Sequence, residues 1–175
     1  EGKRTQTMRA HLYGTAELAG EFARRFGKEE WGYCCGLLHD IGKYSEAFQD
    51  KIRNNSDRRV DHSTAGARVC EEKGGLYPFL EYCIAGHHAG LPDYGSSSDA
   101  GNAPTLSGRR KKKIEDYSAY KDEIQIPELK TVPFDPGKTS DPDYSLSVFI
   151  RMLFSCLVDA DFLDTERFMK AGDTE

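Results

Sequence analysis

Tyr-Ser-Leu-Ser-Val-Phe-Ile-Arg-Met-Leu-Phe-Ser-Cys-Leu-Val-Asp-Ala-Asp-Phe-Leu-Asp-Thr-Glu-Arg-Phe-Met, residues 144–169, is the most strongly periodic stretch of the chain. Leu146, Ile150, Leu153, Phe154, Leu157 and Phe162 recur at helical spacing, which predicts one long helix with an apolar face. Working back from it, residues 92–142 change character. Six of the seven prolines lie there, with Gly-Ser-Ser-Ser at 95–98 and a basic run, Arg109, Arg110, Lys111, Lys112 and Lys113. This composition predicts a loop-rich excursion holding one helix around Lys112–Ile124. Before it, helical spacing returns over Met8–Phe26 (stopped by Gly27) and over Glu29–His39 (ending near Gly42). Shorter helices are expected over Ser45–Arg53, from an Asp61 or Ser63 cap to Gly74, and from Pro78 to Gly86 or His87. No stretch alternates as a strand does, so the expected fold class is all-α, in one domain over residues 1–175.

Composition narrows the function. The chain has 175 residues with 38% hydrophobic and 30% charged, too apolar for a disordered segment and long enough to bury a core without staples. No apolar run approaches the ~20 residues of a membrane span, and residues 1–7 do not read as a signal peptide. The five cysteines are odd in number and lack a C-x-x-C pair, which suits buried thiols in a reducing compartment. A soluble cytoplasmic protein with no membrane partner is expected. The net charge of −5 disfavours an extended nucleic-acid face, but leaves room for a site whose positive charge comes from metal ions.

All five histidines stand where a ligand is possible. His39-Asp40 lies in Gly-Leu-Leu-His-Asp-Ile-Gly-Lys (36–43), His62 in Asp-His-Ser (61–63), His87-His88 near a helix end, and His11 in the first helix. Taken singly, each has an ordinary reading as a surface or core histidine. Together, imidazoles and carboxylates suit first-row divalent metals, and a pair of such ions activates water and polarises a phosphoryl oxygen. Asp40 is the natural bridge between two ions. In the late helix, Asp161 follows Leu157, Phe154 and Ile150 at offsets of four, seven and eleven, which puts it on the apolar stripe, where a carboxylate needs a partner or a metal. Asp159 and Asp164 are expected instead in hydrogen bonds or surface pairs, with Arg151 and Arg167 among the partners.

The ordered set resembles the HD superfamily of metal-dependent phosphohydrolases, and more closely the HD nuclease domain of the CRISPR-associated type I helicase–nuclease. Five segments carry the resemblance: 11–19, 36–43, 61–67, 85–92 and 157–166. The resemblance implies an HD-domain helical bundle with two divalent transition-metal ions (manganese, iron, cobalt or nickel). One would be held by His11, His39, Asp40 and Asp161, and the other by Asp40, His62, His87 and His88, with Lys43 facing the scissile phosphate. It further implies cleavage of single-stranded DNA, a helicase domain or subunit as partner, and delivery of the strand by a crRNA-guided surveillance complex. No G-x-x-x-x-G-K-[ST] loop occurs, so the chain is expected to be either the HD part of a longer protein or a separate subunit. Arg109–Lys113 are read as a solvated strip or as contacts to nucleic-acid phosphates, with Tyr94, Tyr117 and Tyr120 as stacking candidates. The same ligands would serve a phosphohydrolase of a nucleotide or cyclic dinucleotide. A non-catalytic HD docking module is the third reading.

Overall fold

Thr7 opens the first helix: its hydroxyl accepts the Ala10 N–H at 3.1 Å, satisfying one of the free donors of the first turn. Helix α1 (Met8–Arg24) and helix α2 (Glu29–Leu38) are joined by Gly27, whose φ of +74° makes the turn. The two helices touch through small residues. A Cβ on Gly36 would stand 2.7 Å from the Ala16 Cα, so only glycine lets the backbones come this close. After α2 come a 3₁₀ turn (Ile41–Tyr44), then α3 (Glu46–Arg53), α4 (Ser63–Lys73), α5 (Pro78–Gly86), α6 (Leu106–Lys111) and α7 (Pro142–Lys170). This computed structural model describes residues 5–171. Residues 1–4, where the stretch read above for a targeting signal begins, and 172–175 lie outside it.

The fold is all-helical, with no strand among the described residues. Helix α7 lies against α1, α2 and α5. The core between them gathers Leu12, Trp31, Leu37, Leu38, Ile84, Leu153 and Leu157, with the Phe149 ring edge-on to Trp31 at 5.1 Å. No helix among the described residues is long and apolar enough to cross a membrane. All five cysteines are free and buried, and burial pushes the Cys34 and Cys156 thiols up to about 12 and about 11, which makes them inert.

Three expectations need correction. Phe162 is exposed (66%), because five residues past Leu157 carries it about 140° round the helix from the stripe, whereas Asp161 turns only about 40° away. The excursion's helix is α6 at Leu106–Lys111, with only a 3₁₀ turn at Ser118–Asp122 where a helix over 112–124 was expected. The Thr105 hydroxyl, accepting from Gly108 N–H at 3.1 Å, starts α6 earlier. Tyr120 is buried in the core and stacks on Tyr117, so it is no platform for a base. The excursion is pinned to the bundle: Tyr120, Ile124 and Leu129 join the main core, and the Trp31 indole N–H donates to the Thr131 carbonyl at 3.1 Å.

Candidate metal centre

His39 and Asp40 sit where α2 ends, fully buried, because α2 carries them into the middle of the bundle before the chain turns. Helix α1 supplies His11 and α7 supplies Asp161. The α3–α4 connection supplies His62, and the end of α5 supplies His87 and His88. Gly42 makes the His62 approach possible, since a Cβ there would come within 2.6 Å of the His62 Cα. The seven residues expected from the sequence meet as two groups that share Asp40: His11, His39, Asp40 and Asp161; and Asp40, His62, His87 and His88.

Asp40 divides its oxygens between the groups. Oδ2 faces His11 Nε2 at 3.5 Å and His39 Nε2 at 3.2 Å, while Oδ1 faces His62 Nε2 and His87 Nε2, each at 3.4 Å. Asp161 Oδ1 closes the first group, 3.3 Å from His11 Nε2 and 3.5 Å from His39 Nε2. Donor atoms around a cation at about 2.1 Å stand roughly 3.0–3.4 Å apart, close to the separations found here. Both Asp40 oxygens, His39 Nε2 and His87 Nε2 are buried, and apart from one another, the other site histidines, Asp161 and the Lys43 ammonium they have no polar partner among the described residues. Such atoms carry a large desolvation penalty unless something binds them. The donor set and its burial fit divalent metal.

The outer nitrogens fix the inner ones. His39 Nδ1 lies 2.6 Å from the Gly36 carbonyl and His87 Nδ1 lies 2.7 Å from that of Ile84, so each Nδ1–H donates to a carbonyl and each Nε2 is turned to Asp40. His11 Nδ1 meets Asp164 Oδ2 at 2.8 Å, and Gln6 Nε2 donates to the same oxygen at 2.9 Å. Asp164 therefore orients a ligand through a hydrogen bond, and its partner is His11 of α1 rather than Arg151 or Arg167. Its position three residues after Asp161 on α7 was the available signal, since i and i+3 share a helix face.

Charge in the metal-free chain divides unevenly. Burial lowers the His11 pKa, but hydrogen bonds to Asp161 and Asp40 outweigh it and carry it up to about 9. His39, opposed by burial in the same way, is carried to about 10 by the Asp40 charge and the bond to Asp161. Burial raises both carboxylates, yet the histidines hold Asp40 and Asp161 well below the ordinary carboxylate range. In the second group, burial lowers His62, and burial with the nearby His87 lowers His88 to about 4. His62 Nε2 and His88 Nε2, 2.7 Å apart, share one hydrogen bond. Lys43 Nζ sits 2.5 Å from Asp40 Oδ2 and 5.7 Å from the Phe48 ring centre, so in the metal-free chain its ammonium compensates the bridging carboxylate.

A surface cavity of about 830 Å³ opens on the second group, with His62 and His88 in its wall. The basic run splits around it. Arg109, Lys112 and Lys113 line the cavity, whereas Arg110 is clamped by buried Glu81 (2.9 and 3.0 Å) and Lys111 donates to the Ser97 and Asp99 carbonyls. Two arginines not singled out from sequence, Arg58 and Arg59, also line it. Helix α4 is capped by Asp61, which accepts the Thr64 N–H at 3.1 Å, rather than by Ser63.

Comparison with protein families matches residues 8–131 to the HD domain, well over half the chain, and the chain belongs to that family. HD domains bind divalent metals and are metal-dependent phosphohydrolases in general terms. The match ends before α7, so Asp161 and Asp164 lie beyond it. No curated protein matches the chain.

Proposed function

We propose that this HD protein is a metal-dependent nuclease that hydrolyses phosphodiester bonds of single-stranded DNA. The observation that carries the reading is the position of Asp40, buried, with one oxygen turned to each of two histidine groups. The residues that would hold the ions are His11, His39, Asp40 and Asp161 for one, and Asp40, His62, His87 and His88 for the other. Manganese, iron, cobalt and nickel share these donors. Divalent ions bound there supply Lewis-acid polarisation of a phosphoryl oxygen and acidify water to a nucleophile at neutral pH.

The rest is work for the chain. The Nδ1 bonds to Gly36, Ile84 and Asp164 hold the imidazoles in one tautomer, so the donor atoms need no rearrangement before binding. Lys43, three residues past Asp40 and 2.5 Å from its Oδ2, is the cation at the centre that would compensate charge growing on the phosphoryl group. Phe48 packs between His62 and Lys43, its ring 5.1 Å from that of His62 and 5.7 Å from the Lys43 ammonium. Support for a polynucleotide comes from the resemblance of five sequence segments to CRISPR-associated HD nucleases and from the basic cavity beside the second group. In that setting the strand is supplied by a helicase domain or subunit acting with a crRNA-guided surveillance complex.

The test is cleavage of circular single-stranded DNA by chelator-stripped protein reconstituted with manganese, beside Asp40→Ala. Metal-dependent linearisation that disappears in the variant is expected. No cutting by metal-loaded wild type, with turnover of a nucleotide or cyclic dinucleotide instead, would transfer the site to small-molecule hydrolysis.

A further inference from the structure

The cavity beside His62 and His88 is lined by five basic side chains (Arg58, Arg59, Arg109, Lys112, Lys113) and two acidic ones, Asp61 and Glu115, in a chain of net charge −5. Two of the five are already neutralised: Arg58 pairs with Glu115 at 3.1 Å and Lys112 with Asp61 at 2.5 Å. Arg59, Arg109 and Lys113 form no ion pair among the described residues. Arg109 is nonetheless placed. One of its terminal nitrogens donates to the Ser63 hydroxyl at 3.1 Å and lies 3.4 Å from that of Thr64, while its buried Nε has no partner among the described residues. Two neutral acceptors orient the guanidinium without cancelling its charge, which is how a protein prepares an arginine for an anion. Ser63 directly follows His62, so this cation stands beside the second metal group.

The backbone behind it is fixed as well. Arg68 of α4 donates to the carbonyls of Arg110 and Lys112, and the Glu81–Arg110 pair ties α6 to α5. No Phe, Tyr or Trp among the described residues lines the cavity, and the rings that do, His62 and His88, belong to the metal group, so the wall offers charge with no separate stacking platform for a base.

Resting on the polynucleotide reading above, we infer that this cavity is a one-sided phosphate track. The single strand reaches the metal centre past His62 and His88, its backbone phosphates held by Arg109, Arg59 and Lys113, with the bases unread. Arg110 and Lys111 take no part, although they are neighbours in sequence.

The track is tested by fluorescence anisotropy of labelled dT20 with the full chain in EDTA, across 50–200 mM KCl. The variants are Arg59→Ala/Arg109→Ala/Lys113→Ala and a control of equal charge, Lys121→Ala/Lys138→Ala/Lys170→Ala, on exposed positions outside the cavity. At about 0.7 per phosphate contact on a single strand, the track variant should flatten the slope of log K against log salt by about 2. Wild-type affinity should then fall about 20-fold further over that range than the variant's, and the control should follow wild type. Exposed Arg59→Ala/Lys113→Ala, which leaves Arg109 packed, should flatten the slope by about 1.4 and serves if the triple variant does not fold. A triple variant that binds like the control overturns the track, and does so even where manganese-loaded wild type cuts circular DNA, leaving the nuclease reading in place. Wild type that neither binds dT20 nor cuts DNA removes both.

Discussion

The two halves of the centre should load metal with different proton demands. A histidine must be neutral to ligate, so a protonated one gives up its proton on binding. In the metal-free chain, His11 (about 9) and His39 (about 10) are protonated at pH 7.5, held so by Asp40 and Asp161. His62 and His88 lie below the ordinary histidine value and are already neutral. Filling the first group therefore displaces two protons, and its apparent affinity should rise about 100-fold per pH unit between pH 7 and 8.5, about 2.7 kcal/mol. Filling the second group should displace no proton from His62 or His88, so its affinity should rise less steeply with pH than that of the first group. Calorimetric titration of manganese at pH 7.5, in two buffers of different ionisation enthalpy, counts the protons for each binding event. Asp161→Ala, which removes a ligand from the first group only, identifies the events. The stability sign runs with the same shifts: both pKa values are raised above the unfolded value of about 6.5, so their contribution is complete below pH 6.5 and lost as pH rises through 9 to 10. Chelated protein should lose thermal stability across that window, and metal-loaded protein should not. Equal proton release by the two events, or none by the first, would refute the charge assignment.

Three further outcomes follow from the geometry. Lys43→Ala should lower turnover by about 10²–10³-fold while metal binds at least as tightly, because the ammonium competing for Asp40 is gone; metal loss in that variant, measured by atomic absorption, makes Lys43 structural. Asp164→Ala should weaken the first group's metal affinity by about 10–100-fold, and Gly14→Ala should do the same from the opposite helix, since a Cβ there falls on the Asp164 carboxylate, 3.0 Å from its Cγ; unchanged affinity in both removes Asp164 from the site. Burial raises Glu81 to about 7 against the opposing pull of Arg110. A carboxylate raised in the folded state loses stability as pH climbs from its unfolded pKa of about 4.5 to about 7, here of order 3 kcal/mol, so Glu81→Gln should remove that part of the slope in urea denaturation between pH 5 and 7.5.

The helices were legible where apolar spacing or a special residue marked them. Pro78 opens α5 and Gly27 closes the first turn as read, and Asp161 falls inside the site because its offset from Leu157 keeps it near the stripe. Phe162 was misread by residue type against angle. The split of the basic run was not legible, because it depends on Glu81 and Asp61, carboxylates brought from 29 and 51 residues away by packing. Adjacent arginines look alike in sequence, and only the acceptors opposite distinguish a clamp from a free cation.

The ligands are legible in the sequence where their surroundings are not, because the two depend on different properties of the residues. Asp40 lies fully buried as a carboxylate, an arrangement that disfavours the metal-free fold and is tolerated only because protonated imidazoles and Lys43 surround it. Those compensating groups divide by role. The histidines are the ligands themselves and keep their types in the sequence pattern, whereas Gly14, Gly36 and Gly42 contribute only by lacking a Cβ where another backbone or carboxylate must pass. Chemistry at the centre is written in residue types, and its preorganisation is written in the spaces between helices, which a linear reading does not contain. It follows that a conservative change outside the ligand set, Gly42→Ala, should disrupt the centre. It touches no donor atom, yet its Cβ would meet the His62 backbone, so it should empty the second group selectively and leave first-group binding at pH 8.5 intact. Two-site binding by calorimetry in Gly42→Ala would show that His62 reaches Asp40 without that gap.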